Sequence, residues 1–529
     1  MRYNLRKHEK PAKVLVYTLA LVSTFVYIGY RLIYTVPFGL RPVDVIFGVL
    51  VILLEIIESI DFVIYFFNTL ILSKKSPKTP KIKIEKWPDV DVFIATINES
   101  EELLSQTIAA CLSMEYPGKM HVFVCDDGKR DNIAGLAKKM KVGYITRKGH
   151  YAAKAGNYNH ALSETKSELI ATFDADMRPT RDFLIKTVPF FVKYEDVGFV
   201  QTPQSFDNPD IFQARLGTKM PFEQDYFYHH VQMARNNNNS TILCGTNCVV
   251  SREALNEVDG YAEKSIAEDV ATGMLIEAAG YRGIAISDVL AHGIAVDNLT
   301  GFLKQRSRWG RGCLQTLKNY GIFRQKGLSF RQKVDYFTSI NYWLFSIKRF
   351  AFLILPLLFA FFGIVVVKCD LAVFIPIFLI QYVFKKFIID LLEGRKRSST
   401  WSKIQELTLV PLMMFEIVRE IFGFGSMKFE VTDKKSRSSK GAIDRKMLLY
   451  HTTLFVLSGF GLGLAIYKAN AIGVENYVLP LMWLTANVLY MFVVILFDVR
   501  KNRTPSDFRP NAVEKYSLKS YVYMLRRGK

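Results

Sequence analysis

The hydrophobic and polar positions along this chain form three blocks. Two long apolar runs, 13–36 and 43–72, come first, and each has the roughly 20 residues needed to cross a bilayer. Between 87 and 300 no comparable run occurs. The remaining long apolar runs are at about 341–367, 370–392, 447–468 and 477–498. The pattern therefore predicts two membrane spans, a domain outside the membrane and four further spans.

The middle block alternates strand-like and helix-like segments. Residues 89–99, 120–128 and 168–179 alternate apolar and polar positions and end in turn-forming residues, which is typical of strands. Helical patterns at 101–114 and 152–164 separate them. Strands that alternate with helices predict an open, mostly parallel α/β sheet, Rossmann-like in the broad sense. Ligands bind such sheets beyond the carboxyl ends of the strands.

Basic residues concentrate beside the predicted spans. The basic flanks are 1–10, 74–86, 393–403 and 499–509. By the positive-inside rule, they predict a multi-pass protein of the plasma membrane with both termini and the middle domain in the cytoplasm. Flanks that face anionic headgroups also explain most of the formal net charge of +20 in 529 residues. No basic face outside them carries interleaved aromatic residues, so we expect no nucleic-acid partner.

Acidic residues follow the ends of the predicted strands. Glu99 follows the first strand, Asp126 and Asp127 end the second, and Asp174 and Asp176 end the third. Carboxylates gathered at one rim repel each other unless a cation lies among them. The i, i+2 spacing of Asp174 and Asp176 lets both carboxylates reach one Mg²⁺ or Mn²⁺, which keeps positions for water and phosphate oxygens. An isolated pair of this kind is more often an ordinary turn, so the hypothesis depends on the whole set of strand ends.

Two further stretches favour a chemical role. Lys154 lies at the start of a helical pattern, where an ammonium and a helix N-terminus favour phosphate. Glu268 and Asp269 offer carboxylates that could accept a proton from an attacking hydroxyl. Taken alone, both have ordinary explanations: a solvated lysine, and an acidic pair favoured by the helix dipole.

The stretch KQRSRWGRG, residues 304–312, combines four cations with a tryptophan. Gln305, Arg308 and Trp309 fall at i, i+3 and i+4, so they share one face of a helix. The other cations are expected to face lipid headgroups: Lys304, Arg306 and Arg311. The surrounding segment 301–323, and also 402–425, lacks the clean apolar length of a span. Both segments predict helices at the membrane interface, around the cytoplasmic mouth of a channel.

Taken in order, these motifs resemble those of the processive family 2 glycosyltransferases, and of cellulose synthases most closely. The matching text is DDG at 126–128, KAGN at 154–157, DAD at 174–176, QTPQ at 201–204, CGTN at 244–247, AED at 267–269, QRSRW at 305–309 and FEVTDK at 429–434. Each motif alone is weak evidence, but eight in the family's order are specific. The resemblance implies a cytoplasmic GT-A (Rossmann-like) α/β domain inserted between two and four transmembrane helices, with interface helices. The implied domains are 1–86, 87–300 and 301–529.

The resemblance also implies roles for individual residues. Residues implied to bind the nucleotide sugar are Thr96, Glu99, Asp126, Asp127, Lys154, Asp174, Gln305 and Arg308, with Phe429, Thr432 and Lys434 of a gating loop at about 426–440. Residues implied to bind the acceptor are Gln201, Cys244, Gly245, Thr246 and Trp309. Asp174 and Asp176 would hold Mg²⁺ or Mn²⁺. Asp269 would be the general base, with Glu268 beside it and Arg308 near the diphosphate.

The implied function is processive, inverting polymerisation of a β-linked polysaccharide. The resemblance implies a glucan made from UDP-glucose on a growing chain and extruded through the spans, as by a capsule or exopolysaccharide synthase. The alternatives are a hyaluronan- or chitin-type synthase that uses another UDP-sugar, a transferase of single sugars to a lipid carrier, and a channel with a degenerate ligand-sensing domain. The departures from the family's pattern are Ile97, Gln204 and Ala267. Ile97 stands where the family often has an aromatic residue, which speaks against stacking on the uracil. Gln204 and Ala267 touch the implied acceptor region and leave the product linkage open, and the oligomeric state is open as well.

Overall fold

The computed structural model of the chain describes residues 9–66, 76–216, 222–388, 399–424 and 442–500. The predicted gating-loop residues Phe429, Thr432 and Lys434 lie outside these described residues. The helices are α1 (Glu9–Tyr30), α2 (Pro42–Phe66), α3 (Glu101–Leu112), α4 (Asp131–Met140), α5 (Ala153–Glu164), α6 (Phe183–Thr187), α7 (Pro189–Lys193), α8 (Ile211–Leu216), α9 (Gln232–Arg235), α10 (Arg252–Glu257), α11 (Glu268–Ala278), α12 (Leu299–Tyr320), α13 (Phe330–Tyr342), α14 (Phe345–Phe362), α15 (Leu371–Phe387), α16 (Ser399–Ile421), α17 (Ala442–Ile472) and α18 (Val478–Val499). Short π-helical turns occur at Arg31–Thr35 and Phe227–Val231, and 3₁₀ turns at Ile322–Arg324 and Glu475–Tyr477.

The middle block folds around a seven-stranded sheet with a small three-stranded sheet beside it. The strands are β1 (Val90–Thr96), β2 (Met120–Asp126), β3 (Gly143–Ile145), β4 (Leu169–Asp174), β5 (Arg178–Pro179), β6 (Val197–Gln201), β7 (Ser205–Phe206), β8 (Cys248–Ser251), β9 (Arg282–Ala285) and β10 (Ala291–Gly293). The large sheet has the order β3-β2-β1-β4-β8-β6-β9, and the small one has the order β5-β10-β7. Helices cover both faces of the large sheet, and buried side chains of each face form a hydrophobic core.

The α/β prediction is confirmed, with one correction to the strand directions. The pairs β1–β2, β1–β4, β2–β3 and β6–β9 are parallel, as expected. Strand β8 instead runs antiparallel to both β4 and β6. The turn 244–247 that leads into β8 lies at the carboxyl edge of β4, where the N–H of Asn247 donates to the carbonyl of Thr172. A strand that enters the sheet from that edge must run opposite to its neighbours, so the sheet is mixed.

Four of the described helices are long and apolar enough to cross a membrane. They cover Val14–Thr35, Phe345–Phe362, Arg445–Ala471 and Val478–Val499. The predicted run 341–367 needs a correction, because α13 ends at Tyr342 and the span begins only at Phe345. The six-span arrangement itself stays a prediction.

The other two predicted spans, α2 and α15, are not among the described helices that are long and apolar enough to cross a membrane. Helix α15 has 17 residues. Helix α2 carries several carboxylates, and those of Glu55, Glu58 and Asp61 form ion pairs with cations of α14 and of the π-helical turn after α1. Ionisable groups among membrane helices usually face such partners.

Helix α12 lies where the sheet domain meets the membrane helices. One hydrophobic cluster joins its buried residues to those of α8, α13 and α16, and it includes Phe212, Phe302 and Met413. The N-cap of α12 is Asn298, whose side chain accepts a hydrogen bond from the backbone N–H of Gly301. It ends at Gly321, which adopts the left-handed conformation that stops a helix. The packing of α12 against both parts determines where its polar face points.

Candidate active site

A single cavity of about 1980 Å³ brings most of the predicted site residues together. Its lining includes Thr96, Glu99, Asp127, Lys154, Asp174, Asp176, Cys244, Glu268, Asp269, Gln305, Arg308 and Trp309. Sheet register explains why the residues at the ends of β1, β2 and β4 lie close together. Strand β1 places Ala95 opposite Asp174 on one side and Thr96 opposite Asp126 on the other. Of the predicted residues that the structure describes, four are absent from this lining: Asp126, Gln201, Gly245 and Thr246.

Asp126 and Asp127 are adjacent in sequence but point into different environments. The Asp126 side chain is fully buried and accepts from the backbone N–H groups of Gly128 and Arg130, each at 2.9 Å, and from the Tyr144 hydroxyl at 3.0 Å. The Arg130 guanidinium also pairs with it at 3.0 Å. Asp127 faces the cavity. Asp126 therefore acts as a support for the turn between β2 and α4.

Asp126→Asn is expected to destabilise the protein. Removing one charge of a buried ion pair leaves the Arg130 guanidinium uncompensated, at a cost of about 3 kcal/mol. The thermal unfolding midpoint of the purified protein measures this loss, and Asp131→Asn at the exposed first position of α4 serves as the control. A variant that binds UDP more weakly at an unchanged midpoint would instead place Asp126 in contact with the nucleotide.

Asp127 and Thr96 are held by neighbouring groups at the cavity wall. Arg147 donates to both oxygens of Asp127, at 2.7 and 2.9 Å. The hydroxyl of Thr96 donates to Oε2 of Glu99 at 2.8 Å and accepts from Arg130 at 2.7 Å. These contacts orient polar groups toward the cavity before any ligand binds. No motif marks Arg147, so sequence reasoning missed it.

Asp174 pairs with the ammonium of Lys154, and Asp176 lines the same cavity. Lys154 donates to Oδ1 of Asp174 at 2.6 Å and to the carbonyl of Gly245 at 2.9 Å. Burial alone would lower the pKa of Lys154, but the carboxylates of Asp174, Glu268 and Asp269 outweigh burial and raise that pKa above its ordinary value. A cation is therefore stable beside this carboxylate, which fits a site for a divalent metal. Among the described residues no group of three His, Cys, Asp or Glu side chains that could hold a metal ion is found. The carboxylates of Asp174 and Asp176 are the two that could hold one here.

The turn 244–247 lies between the carboxylates of β4 and those of α11. Gln201 supports it from below, because its amide donates to the carbonyl of Thr246 at 2.9 Å and accepts from the N–H of Cys244 at 2.8 Å. Gly245 has a φ of +68°. A Cβ at this position would lie 3.1 Å from Cβ and Oδ2 of Asp269. Only glycine allows the turn to approach Asp269 this closely.

Glu268 and Asp269 begin α11 and face the cavity. Burial raises the pKa of Glu268, and the neighbouring charge of Asp269 adds to that rise. Burial also raises the pKa of Asp269, although Lys154 and Arg308 oppose the shift. A carboxyl with a raised pKa is a stronger base once it is ionised, which suits proton abstraction.

Helix α12 is fastened to the turn before α11. The hydroxyl of Ser265 donates to the carbonyl of Gly312 at 2.9 Å, and the N–H of Ile266 donates to the Gln315 side chain at 3.0 Å. A Cβ at Gly312 would overlap Ala267, so the two elements are in direct contact. This contact brings the predicted helix face, Gln305, Arg308 and Trp309, to the same cavity as Asp269.

Comparisons with known proteins show the family of this chain. A family model described as "Glycosyl transferase family group 2" matches residues 169–384. The "Cellulose synthase catalytic subunit [UDP-forming]" of Pseudomonas fluorescens is 30% identical over 500 residues, which cover 93% of this chain and 68% of that protein. The chain is a cellulose synthase-like family 2 glycosyltransferase.

Two further matches show how much of a known protein this glycosyltransferase covers. A "Putative cellulose synthase 2" of Komagataeibacter xylinus is 29% identical over 93% of the chain, but the chain spans only 33% of that relative. A mannosyltransferase structure from Pyrobaculum calidifontis, in complex with GDP-Man and Mn²⁺, is 19% identical with a TM-score of 0.49. The match covers 71% of this chain and 99% of that one. The glycosyltransferase itself has a GT-A-like mixed α/β sheet, and four helices of its described residues could cross a membrane.

Two cations of α12 in this glycosyltransferase correct the sequence-based expectation. Arg306 is only 3% exposed and pairs with Glu223, and Arg311 pairs with Glu420 at 3.0 Å. Neither therefore faces lipid headgroups, whereas Lys304 is exposed. Glu223 and Glu420 are far away in sequence, so local charge patterning could not reveal these pairs.

The positions where the glycosyltransferase departs from its family's pattern all lie at the cavity. Ile97, Gln204 and Ala267 contribute to its lining. Ile97 follows Thr96 at the end of β1, and Ala267 precedes Glu268 at the start of α11. Substitutions at the cavity wall change the shape and hydrogen bonding that a sugar meets, which is where substrate discrimination originates.

Proposed function

We propose that this glycosyltransferase is a processive, inverting polysaccharide synthase. It polymerises a β-linked glucan from UDP-glucose and passes the product across the plasma membrane through its own helices. The observation that carries this proposal is the continuity of the cavity. Its lining extends from Thr96 and Asp174 at the sheet edge, past Trp309, to Trp483 and Asn487 of α18.

The residues at the sheet edge would bind the donor. Thr96, Glu99 and Asp127 lie where a uridine would be held, and Lys154 and Arg308 supply positive charge near the diphosphate. The carboxylates of Asp174 and Asp176 would hold Mg²⁺ or Mn²⁺, which when bound stabilises negative charge on the departing diphosphate. The bound cation would also explain why two carboxylates lie so close to the negatively charged diphosphate, which they would otherwise repel.

Asp269 would accept the proton of the acceptor hydroxyl. As this proton leaves, the hydroxyl oxygen attacks the anomeric carbon and the bond to the diphosphate breaks. A single displacement of this kind inverts the anomeric centre, so an α-linked donor yields a β-linked product. The flat indole of Trp309 suits the apolar face of the acceptor sugar, and Gln305 adds hydrogen-bonding groups.

The membrane half of the cavity favours a polymer product over a single transfer. Aromatic side chains line it, including Tyr27, Phe352, Phe378 and Trp483. Their faces suit stacking against successive sugar rings. A transferase that adds one sugar to a lipid carrier needs no such passage. We therefore propose the 2 + 4 arrangement of spans, domains near 1–86, 87–300 and 301–529, and a cytoplasmic sheet domain.

Incubation of the purified protein with UDP-glucose and Mg²⁺ or Mn²⁺ tests this function. We expect UDP release together with an insoluble polymer, and linkage analysis of the polymer identifies its glycosidic bond. A short glycolipid in place of polymer would support the lipid-carrier alternative. Polymer from another UDP-sugar alone would change the proposed substrate, and no UDP release from any UDP-sugar would refute both enzyme proposals.

A further inference from the structure

Arg306 has surroundings that the proposed function leaves unexplained. Its guanidinium lies between two aromatic rings of α12: the guanidinium carbon is 4.3 Å from the ring centroid of Phe302 and 4.3 Å from that of Trp309. These rings belong to positions i−4 and i+3, so helix geometry puts all three side chains on one face. The Arg306 side chain is almost completely buried. Cation and ring are therefore stacked away from water, where such contacts are strongest.

Polar partners hold the plane of this guanidinium. The carboxylate of Glu223 forms an ion pair with it. Its Nη1 donates to Oε1 of Gln305 at 3.0 Å. Glu223 lies outside α12, and its own backbone N–H donates to the Asp210 carboxylate at 3.4 Å. The orientation of Arg306 is thus determined by a second element of the protein and not by α12 alone.

We propose that Arg306 is a positioning residue for the acceptor site. Held by Glu223, its guanidinium supports one face of the Trp309 indole and orients the Gln305 amide, so that both present a fixed surface to the sugar. The identity of the bound sugar rests on the proposed function, whereas the support of Trp309 rests on the stack alone. A planar guanidinium provides this support, and the compact ammonium of lysine does not.

A purely structural role would have different consequences. If the ion pair of Arg306 only held α12 in place, lysine would largely preserve it, because lysine keeps the positive charge. Arg311 provides the matched control, because it lies on the same helix, pairs with Glu420 at 3.0 Å and is outside the cavity lining. Arg306→Lys and Arg311→Lys therefore make the same chemical change at positions that differ in their contact with Trp309.

Oligosaccharide binding tests the proposal on the purified full chain. We expect Arg306→Lys to weaken binding of a β-linked glucose hexamer by about tenfold, the scale of a desolvated cation–π contact, with UDP affinity unchanged. Arg311→Lys should change neither affinity. In a Trp309→Ala background, Arg306→Lys should cause a smaller additional loss than in the wild type, because the part of its effect that acts through the indole is already absent. Additive losses, equal effects of the two lysine variants, or a loss of UDP affinity would each overturn the proposal.

A second measurement does not depend on the sugar. Acrylamide quenching of tryptophan fluorescence measures the exposure of the Trp309 indole. The contribution of Trp309 is the difference in fluorescence between a protein that contains Trp309 and the same protein with Trp309→Phe. We expect Arg306→Lys to increase this exposure and Arg311→Lys to leave it unchanged. Unchanged exposure in Arg306→Lys would overturn the proposal. Increased exposure in a protein that binds no glucose hexamer would uphold the positioning role and refute the proposed sugar.

Discussion

Asp269→Asn is expected to abolish elongation while leaving UDP binding intact. Asparagine keeps the shape of the side chain and its contact with the N–H of Val270, at 2.8 Å in the structure, but it cannot accept the acceptor's proton. Loss of a general base typically costs roughly 10²- to 10⁴-fold in rate. Sugar incorporation into polymer and the UDP dissociation constant, measured on the same preparation, separate the two effects.

The adjacent carboxylate and the pH profile make this prediction specific. Glu268→Gln should reduce the rate less than Asp269→Asn, and the reverse order would move the base to Glu268. Because the pKa of Asp269 is raised, mainly by burial, the base becomes protonated at a higher pH than an ordinary aspartate as the solution is acidified. The rate should therefore fall at low pH in the wild type. Any trace of activity that remains in Asp269→Asn should lack that fall.

The elements of the site were predictable because their signals are local. Alternation at 89–99 and 168–179 identified β1 and β4, and the carboxylates at their ends followed from the rule that ligands bind beyond the carboxyl ends of strands. The helix face of Gln305, Arg308 and Trp309 followed from helical periodicity. Their meeting with Asp269 did not follow, because it depends on the contact between Gly312 and Ala267.

Charge was the least predictable property from the sequence. Asp126 and Asp127 form one motif, yet only the structure separates the buried acceptor of backbone N–H groups from the carboxylate at the cavity wall. Arg306 and Arg311 were expected at headgroups because the partner of each is distant in sequence. An ion pair between residues distant in sequence leaves no periodic trace, so its formation depends on tertiary packing.

Asp176→Asn is expected to remove the metal dependence of donor binding. Asp176 is buried at the cavity wall, and Asp174 is already paired with Lys154 at 2.6 Å. With Asp176 neutralised, one carboxylate and one ammonium remain, so the net charge of the cluster changes from −1 to zero and its attraction for a divalent cation is lost. Turnover should fall by roughly 10²- to 10³-fold or more, because less positive charge opposes the charge on the diphosphate.

UDP affinity measured with and without Mg²⁺ or Mn²⁺ decides this prediction. Wild-type affinity should increase when the metal is added, and that of Asp176→Asn should not. Asp182→Asn is the matched control, since Asp182 pairs with Lys186 at 2.8 Å and lies outside the cavity lining. Lys154→Gln should tighten metal binding, because it removes the ammonium that competes for Asp174, although it still lowers turnover. Weaker metal binding in Asp176→Asn together with tighter metal binding in Lys154→Gln would follow only if the cation and Lys154 share Asp174. If Asp176→Asn retains the response to metal, the cation binds elsewhere.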